Sequence, residues 1–152
     1  MTNSQLTVDR YVFLPPGVFI ARLTGQNRFN ISMRNAERLC ERFQQGGLGG
    51  LVIDYSGCDL GHQPHEFRHV AQVFEENMPK GTKMAYVYRD SQLGHILVIT
   101  RLLNAAGLKV RGFTEPRAAE DWVFEEMGEN RADYGDPRCL DGDAPEQLAP
   151  DA

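Results

Sequence analysis

The chain has 152 residues, 41% of them hydrophobic and 24% charged, which reads as one ordinary domain able to bury a core without staples. Fifteen glycines and eight prolines are normal usage and exclude collagen-like or low-complexity chains. A formal net charge of −5 argues against a surface built for nucleic-acid phosphates.

Arg10–Leu14 reads as a strand, Pro15-Pro16-Gly17 as a turn and Val18–Leu23 as a second strand. Asn30 and Ser32 are candidate N-caps for a helix running to about Gln45, with Met33, Ala36, Leu39, Cys40 and Phe43 on one side. Gly46-Gly47 ends it. Leu51–Tyr55 is a short apolar run, the pattern of a strand buried on both faces. Pro64 suits a first helical turn, and Phe67, Val70, Ala71, Phe74 and Met78 follow on one face. Met84–Tyr88 is a strand, Ser91 a cap, and Gln92–Ala106 a helix closed by Gly107. Val110–Phe113 is a strand, and Thr114 caps a last helix with Ala119, Trp122, Val123 and Met127 inward. The order β-β-α-β-α-β-α-β-α predicts an α/β fold, with a mostly parallel sheet of four to five strands and about four helices.

The charge is unevenly placed. Residues 1–127 hold 14 basic and 14 acidic side chains, while 128–152 hold seven acids against Arg131 and Arg138, so the whole −5 lies in the last 25 residues. That stretch also carries three prolines and few aliphatics. It is expected to be an acidic tail or extended arm beyond a domain of residues 1–127, either solubilising or folded over a basic groove or partner.

Cys40, Cys58 and Cys139 have no metal-type spacing, and an odd count without an export signal suggests reduced thiols in a cytoplasm. The most apolar stretch, Leu93–Leu103, is about half a membrane span and contains His95 and Arg101, so it is expected to be a buried helix. On that helix Leu97 and Val98 lie off the face set by Ile96, Ile99 and Leu103. They are either scattered surface hydrophobes or a contact patch for a partner or second copy.

The most conspicuous motif is His65-Glu66-Phe67-Arg68-His69, which fits H-E-x-x-H. Two histidines one helical turn apart can share a metal while the glutamate polarises water, so His65, His69 and Glu66 define a metal-dependent hydrolase alternative. Against it stand Arg68 between the ligands, the position of His65 in a first turn, and the lack of a nearby third ligand. The segment Gly57–His65 is expected to be a loop leaving a buried strand and entering a helix, where open α/β sheets bind ligands. His62, Gln63, His65 and Arg68 are its candidate binding residues, and the helix start near Pro64 is a candidate anion or nucleotide site. Neither a dinucleotide nor a P-loop signature accompanies it. Asp54 and Asp90 also follow strands, where paired carboxylates can serve acid–base work, but turn and capping roles explain both. Cys58 is the thiol nearest that helix start, and a small buried residue is the plainer account of it.

Three strings carry a family likeness: Val18–Gly25 (VFIARLTG), Gly50–Gly61 (GLVIDYSGCDLG), and Met84–Val123, a strand, an amphipathic helix ending in Gly, a strand and a Trp-bearing helix. From Tyr11 to about Glu126 the chain resembles a STAS-like domain. This is the fold of sporulation anti-anti-sigma factors and of the cytoplasmic domain of sulfate transporters, and the likeness is nearest to stand-alone bacterial STAS-like proteins. Those antagonists carry a phosphorylatable serine in a D-S-S-G-like string. Here His62, Gln63, Pro64 and His65 fall on that string, and Pro64 takes the acceptor's place. Proline cannot accept phosphate, so the resemblance implies a small regulatory or binding domain without that switch. The expectation is a non-enzymatic cytoplasmic domain with no cofactor, no nucleic acid and no transmembrane segment. It would act through a protein partner, a homodimer, or a small anionic or apolar ligand.

Overall fold

The computed structural model describes residues 6–60 and 64–140, with backbone alone at Leu60 and Pro64. The strands are β1 (Thr7–Phe13), β2 (Val18–Asn27), β3 (Gly50–Leu60), β4 (Lys83–Val87), β5 (Lys109–Phe113) and β6 (Arg138–Cys139). The helices are α1 (Phe29–Gln44), α2 (Pro64–Asn77), α3 (Leu93–Ala105) and α4 (Pro116–Glu126). The strands form one sheet in the order β5-β4-β3-β2-β1-β6. β2 through β5 are parallel, whereas β1 pairs antiparallel with both β2 and β6. The sheet is therefore mixed and six-stranded, not mostly parallel with four or five strands. The hairpin through Pro15-Pro16 returns β1 antiparallel, and β1 then offers its free edge to β6.

Alternation along the strands divides the core. Phe19, Ala21 and Leu23 of β2, Leu51 and Ile53 of β3, and Met84 and Tyr86 of β4 point to α1, α2 and α3. Val18 and Ile20, Val52, and Ala85 and Val87 point to the other face, which α4 covers with Ala119, Val123 and Phe124. Two covered faces explain why the stretches Leu51–Ile53 of β3 and Met84–Val87 of β4 are unbroken apolar runs. The close approach of α4 needs Gly50: a Cβ there would overlap Val123 Cγ1 and lie 2.8 Å from Met127 Sδ. Phe124 is fully buried in α4, while Trp122 is half-buried against Phe113 at 5.8 Å. The Trp expected to face inward thus lies at the margin, because Phe124 fills the centre of that face.

Among the residues after Met127, the described stretch 128–140 packs on the rest of the domain. Arg131 pairs with Glu120 at 2.8 Å, both side chains largely buried, and its guanidinium lies 4.7 Å from the Phe13 ring centroid. Tyr134 packs on Phe124 at 5.3 Å, and β6 then pairs with Tyr11 and Val12. The acids Glu129, Asp133 and Asp136 therefore sit on the domain, leaving Asp141, Asp143, Glu146 and Asp151 in the twelve residues beyond the described ones.

Capping also departs from expectation. Arg28 is the N-cap of α1, and Ser32, inside the helix, donates to Asn27 Oδ1 at 2.8 Å. Glu115, not Thr114, occupies the N-cap of α4. At the β5 edge the Asn104 side chain bonds both backbone groups of Val110, donating to its carbonyl and accepting from its N–H at 2.9 Å each.

Candidate functional site

The expected loop after Tyr55 is strand for most of its length. β3 continues to Leu60 because the long β2 supplies a partner as far as Asn27. The register slips between Arg22↔Asp54 and Thr24↔Gly57, so β3 carries one extra residue, a β-bulge. Asp54 holds the bulge. Its Oδ1 accepts from the Ser56 N–H at 2.9 Å and from Ser56 Oγ at 2.6 Å, and its Oδ2 lies 3.6 Å from Arg22 Nε. A Cβ on Gly57 would come within 2.9 Å of Thr24 Cγ2, so glycine lets the strands re-pair past the bulge. Asp54 is 4% exposed and committed to these partners, a structural part for a residue considered for acid–base chemistry.

Among the described residues, side chains of the chain itself reach across the carboxyl ends of β3 and β4. Gln92 precedes α3 in a short 3-10 turn (Asp90–Gln92) and is 3% exposed. Its Nε2 donates to the carbonyls of Tyr55 at 2.9 Å and Cys58 at 2.8 Å, while its Oε1 accepts from the Arg89 N–H at 3.0 Å. Arg89 donates to the Ser56 carbonyl and pairs with Asp59 at 3.1 Å. Beneath them, a space of about 10 Å³ lined by Asn27, Ser32, Tyr55, Phe67, Val70, Ile96 and Ile99 has room for about one water. Composition gave no sign of Gln92 or Arg89, since a polar residue at a helix start reads as a cap.

His62 and Gln63 lie outside the described residues. His65 and Arg68 are exposed on α2, whose buried face carries Phe67, Val70, Ala71 and Phe74. His65 and His69 stand edge to face with ring centroids 6.4 Å apart, and His69 also meets the Phe29 ring at 5.9 Å. Among the described residues, no three His, Cys, Asp or Glu side chains converge where they could hold a metal ion. Cys58 is buried and donates to the Tyr55 carbonyl at 3.4 Å. Burial pushes its thiol up to about 12 against the opposing pull of the Arg89 guanidinium. This is the chemistry of an inert core thiol.

On α3, Ile96, Ile99 and Leu103 face the core, and the His95 ring lies 5.0 Å from Phe67 of α2. The outward side of the first two turns of α3 is apolar, and Arg101 and Asn104 are exposed beyond it. Leu97 is 55% exposed, Leu93 43% and Val98 40%, so Leu97 and Val98 are joined by Leu93, whose place in the first turn of α3 gives no such sign in the sequence. These three and Leu14 are the large exposed hydrophobics among the described residues. The helix is not buried all round as its composition suggested, because α2 and β5 contact only its inner side. No helix among the described residues is long and apolar enough to cross a membrane.

The fold is similar to that in the crystal structure of an anti-sigma factor antagonist from Mycobacterium paratuberculosis. The TM-score is 0.57, with 18% sequence identity, over 80% of this chain and 97% of that one. The chain has a STAS-like fold. Alignments to an antisigma-factor antagonist STAS domain from Rhodobacter sphaeroides and to the antagonist SpoIIAA in its unphosphorylated form have TM-scores of 0.30 and 0.32, each at 15% identity. They cover 73% and 83% of this chain and 88% and 81% of those chains. No family model and no curated protein matches the sequence. In this STAS-like domain Pro64 is the first residue of α2.

Proposed function

We propose that this STAS-like domain is a regulatory protein-binding module, and that its partner docks on the outer face of α3 and the adjoining start of α2. The observation that carries the proposal is the exposed trio Leu93, Leu97 and Val98 on one helix; among the described residues, Leu14 is the one other large hydrophobic as exposed. Contiguous apolar surface of this kind marks contact sites on small domains. His65 and Arg68 add polar groups on the neighbouring α2, and the matched structure is named for antagonism of another protein. Pro64 stands where the resemblance puts the acceptor serine, so binding here is governed by partner availability instead of phosphate at that position. The crevice at the strand ends is closed by Gln92 and Arg89, which favours a surface interaction over a small ligand held there.

The test uses the full chain as bait against lysate of its host, beside Leu97→Glu and Val98→Glu. A partner held at near-equal molar amount by the parent and lost by both variants supports the reading. Equal retention by all three baits overturns it, as does light scattering that shows the trio buried in a homodimer which Leu97→Glu splits.

A further inference from the structure

At the opposite end of the sheet, where β2 and β3 begin, lies a groove of about 280 Å³ between the end of β1, the last turn of α1 and β6. Val12, Phe19, Leu48 and Leu140 give it an apolar floor, Leu14, 62% exposed, stands at the rim, and Gln45 adds a polar group. Two guanidiniums border it. Arg42 lies over the Phe19 ring at 5.0 Å, and Arg138 is exposed on β6. An apolar trough with a cationic rim suits a segment that offers carboxylates around an aliphatic side chain.

We propose that the groove holds residues 141–152 of the same chain. These twelve residues carry Asp141, Asp143, Glu146 and Asp151, no Lys or Arg, and one large aliphatic side chain, Leu148. The described chain ends at Leu140, which is itself a wall of the groove, so the segment starts at its binding place. Asp141-Gly142-Asp143 is turn chemistry that lets a chain double back. The eight residues from Leu140 to Leu148 reach about 26 Å when extended, more than is needed to set Leu148 beside Leu14 and Leu48. Tethering makes the encounter intramolecular, so modest contacts suffice. Arg138 is exposed and Arg42 half-buried, so the charge contribution weakens with salt.

Nuclear Overhauser effects between methyl groups of the full chain, labelled on Leu and Val, test the proposal. At low salt, Leu148 methyls should show cross-peaks to Leu14 or Leu48. The peaks should be lost when Asp141, Asp143, Glu146 and Asp151 are all replaced by Asn or Gln, and again in Arg138→Glu, with the core methyl spectrum unchanged. Absence of such peaks in the parent chain would overturn the proposal. So would their survival in both variants, or their appearance only between differently labelled copies in a mixed sample.

Discussion

Replacing Gln92 by Leu tests the account of the closed crevice. The substitution keeps the approximate volume of a side chain that is 3% exposed and removes three hydrogen bonds, to the carbonyls of Tyr55 and Cys58 and from the N–H of Arg89. A buried polar group left without a partner costs about 1–3 kcal/mol. The Tyr55 carbonyl keeps a weak bond from the Cys58 thiol at 3.4 Å, so its loss falls at the low end. Arg89 is exposed, so its N–H can turn to water and adds little. The expected cost is therefore about 2–4 kcal/mol, out of a total of about 5–15 kcal/mol for a domain. With a urea slope of about 1.5 kcal/mol/M, the midpoint falls by roughly 1.5–2.5 M. Amide exchange should quicken first from Tyr55 to Leu60, which Gln92 pins to the start of α3. Gln92→Glu keeps the acceptor for Arg89 but turns a carboxylate towards two carbonyls. Its loss should be comparable at neutral pH and shrink as the pH falls and the carboxyl becomes a donor again. A Gln92→Leu midpoint within about 0.5 M of the parent would refute the reasoning, since that is under 1 kcal/mol at this slope.

Tyr86 is fully buried, and its hydroxyl has no partner among the described residues, so Tyr86→Phe should raise the thermal midpoint, by about 1–2 kcal/mol in stability. A fall would show that the hydroxyl is satisfied. Burial pushes the Cys40 and Cys58 thiols up to about 12, with Glu37 and Glu41 adding to the effect at Cys40. Above their ordinary value of about 8.5 the unfolded chain releases these protons while the folded chain keeps them. The thiols' contribution to stability should thus be constant below pH 8 and fall towards pH 12, by at most about 1.4 kcal/mol per pH unit for each thiol, and less steeply in Cys40→Ala. A thiol reagent at pH 8 should label the exposed Cys139 quickly and the other two only on unfolding. Asn104→Ala should cost about 1–2 kcal/mol and make the protein self-associate on standing, which light scattering would detect.

The alternation of apolar runs and amphipathic segments made the α/β architecture legible, because burial imposes a period of two on a half-covered strand and 3.6 on a helix. Leu51–Tyr55 could be read as a central strand for that reason. Its continuation could not: Ser56, Gly57 and Asp59 are turn-forming residues, and only the length of β2 and the Asp54 carboxylate turn them into a bulged strand. β6 spans two residues, too short for any period, and its pairing with β1 joins positions far apart in sequence. The acidity of the last 25 residues concealed Arg131, whose pair with Glu120 and stacking on Phe13 anchor that stretch. At the candidate surface, helical spacing did set Leu97 and Val98 apart from the core face. Leu93 went unnoticed because the start of a helix gives too few neighbours to define a face.

The two margins of the sheet bear on how the protein can be approached. One margin is a two-residue strand, and at the other Asn104 occupies the backbone groups of Val110 that an incoming strand would need. A visitor therefore finds little main chain to zip onto. Recognition shifts to side chains on helices, where one apolar-to-charged replacement can abolish a contact while the sheet stays intact. Partner choice can then drift through substitutions on α3 alone, independently of the residues that keep the domain folded.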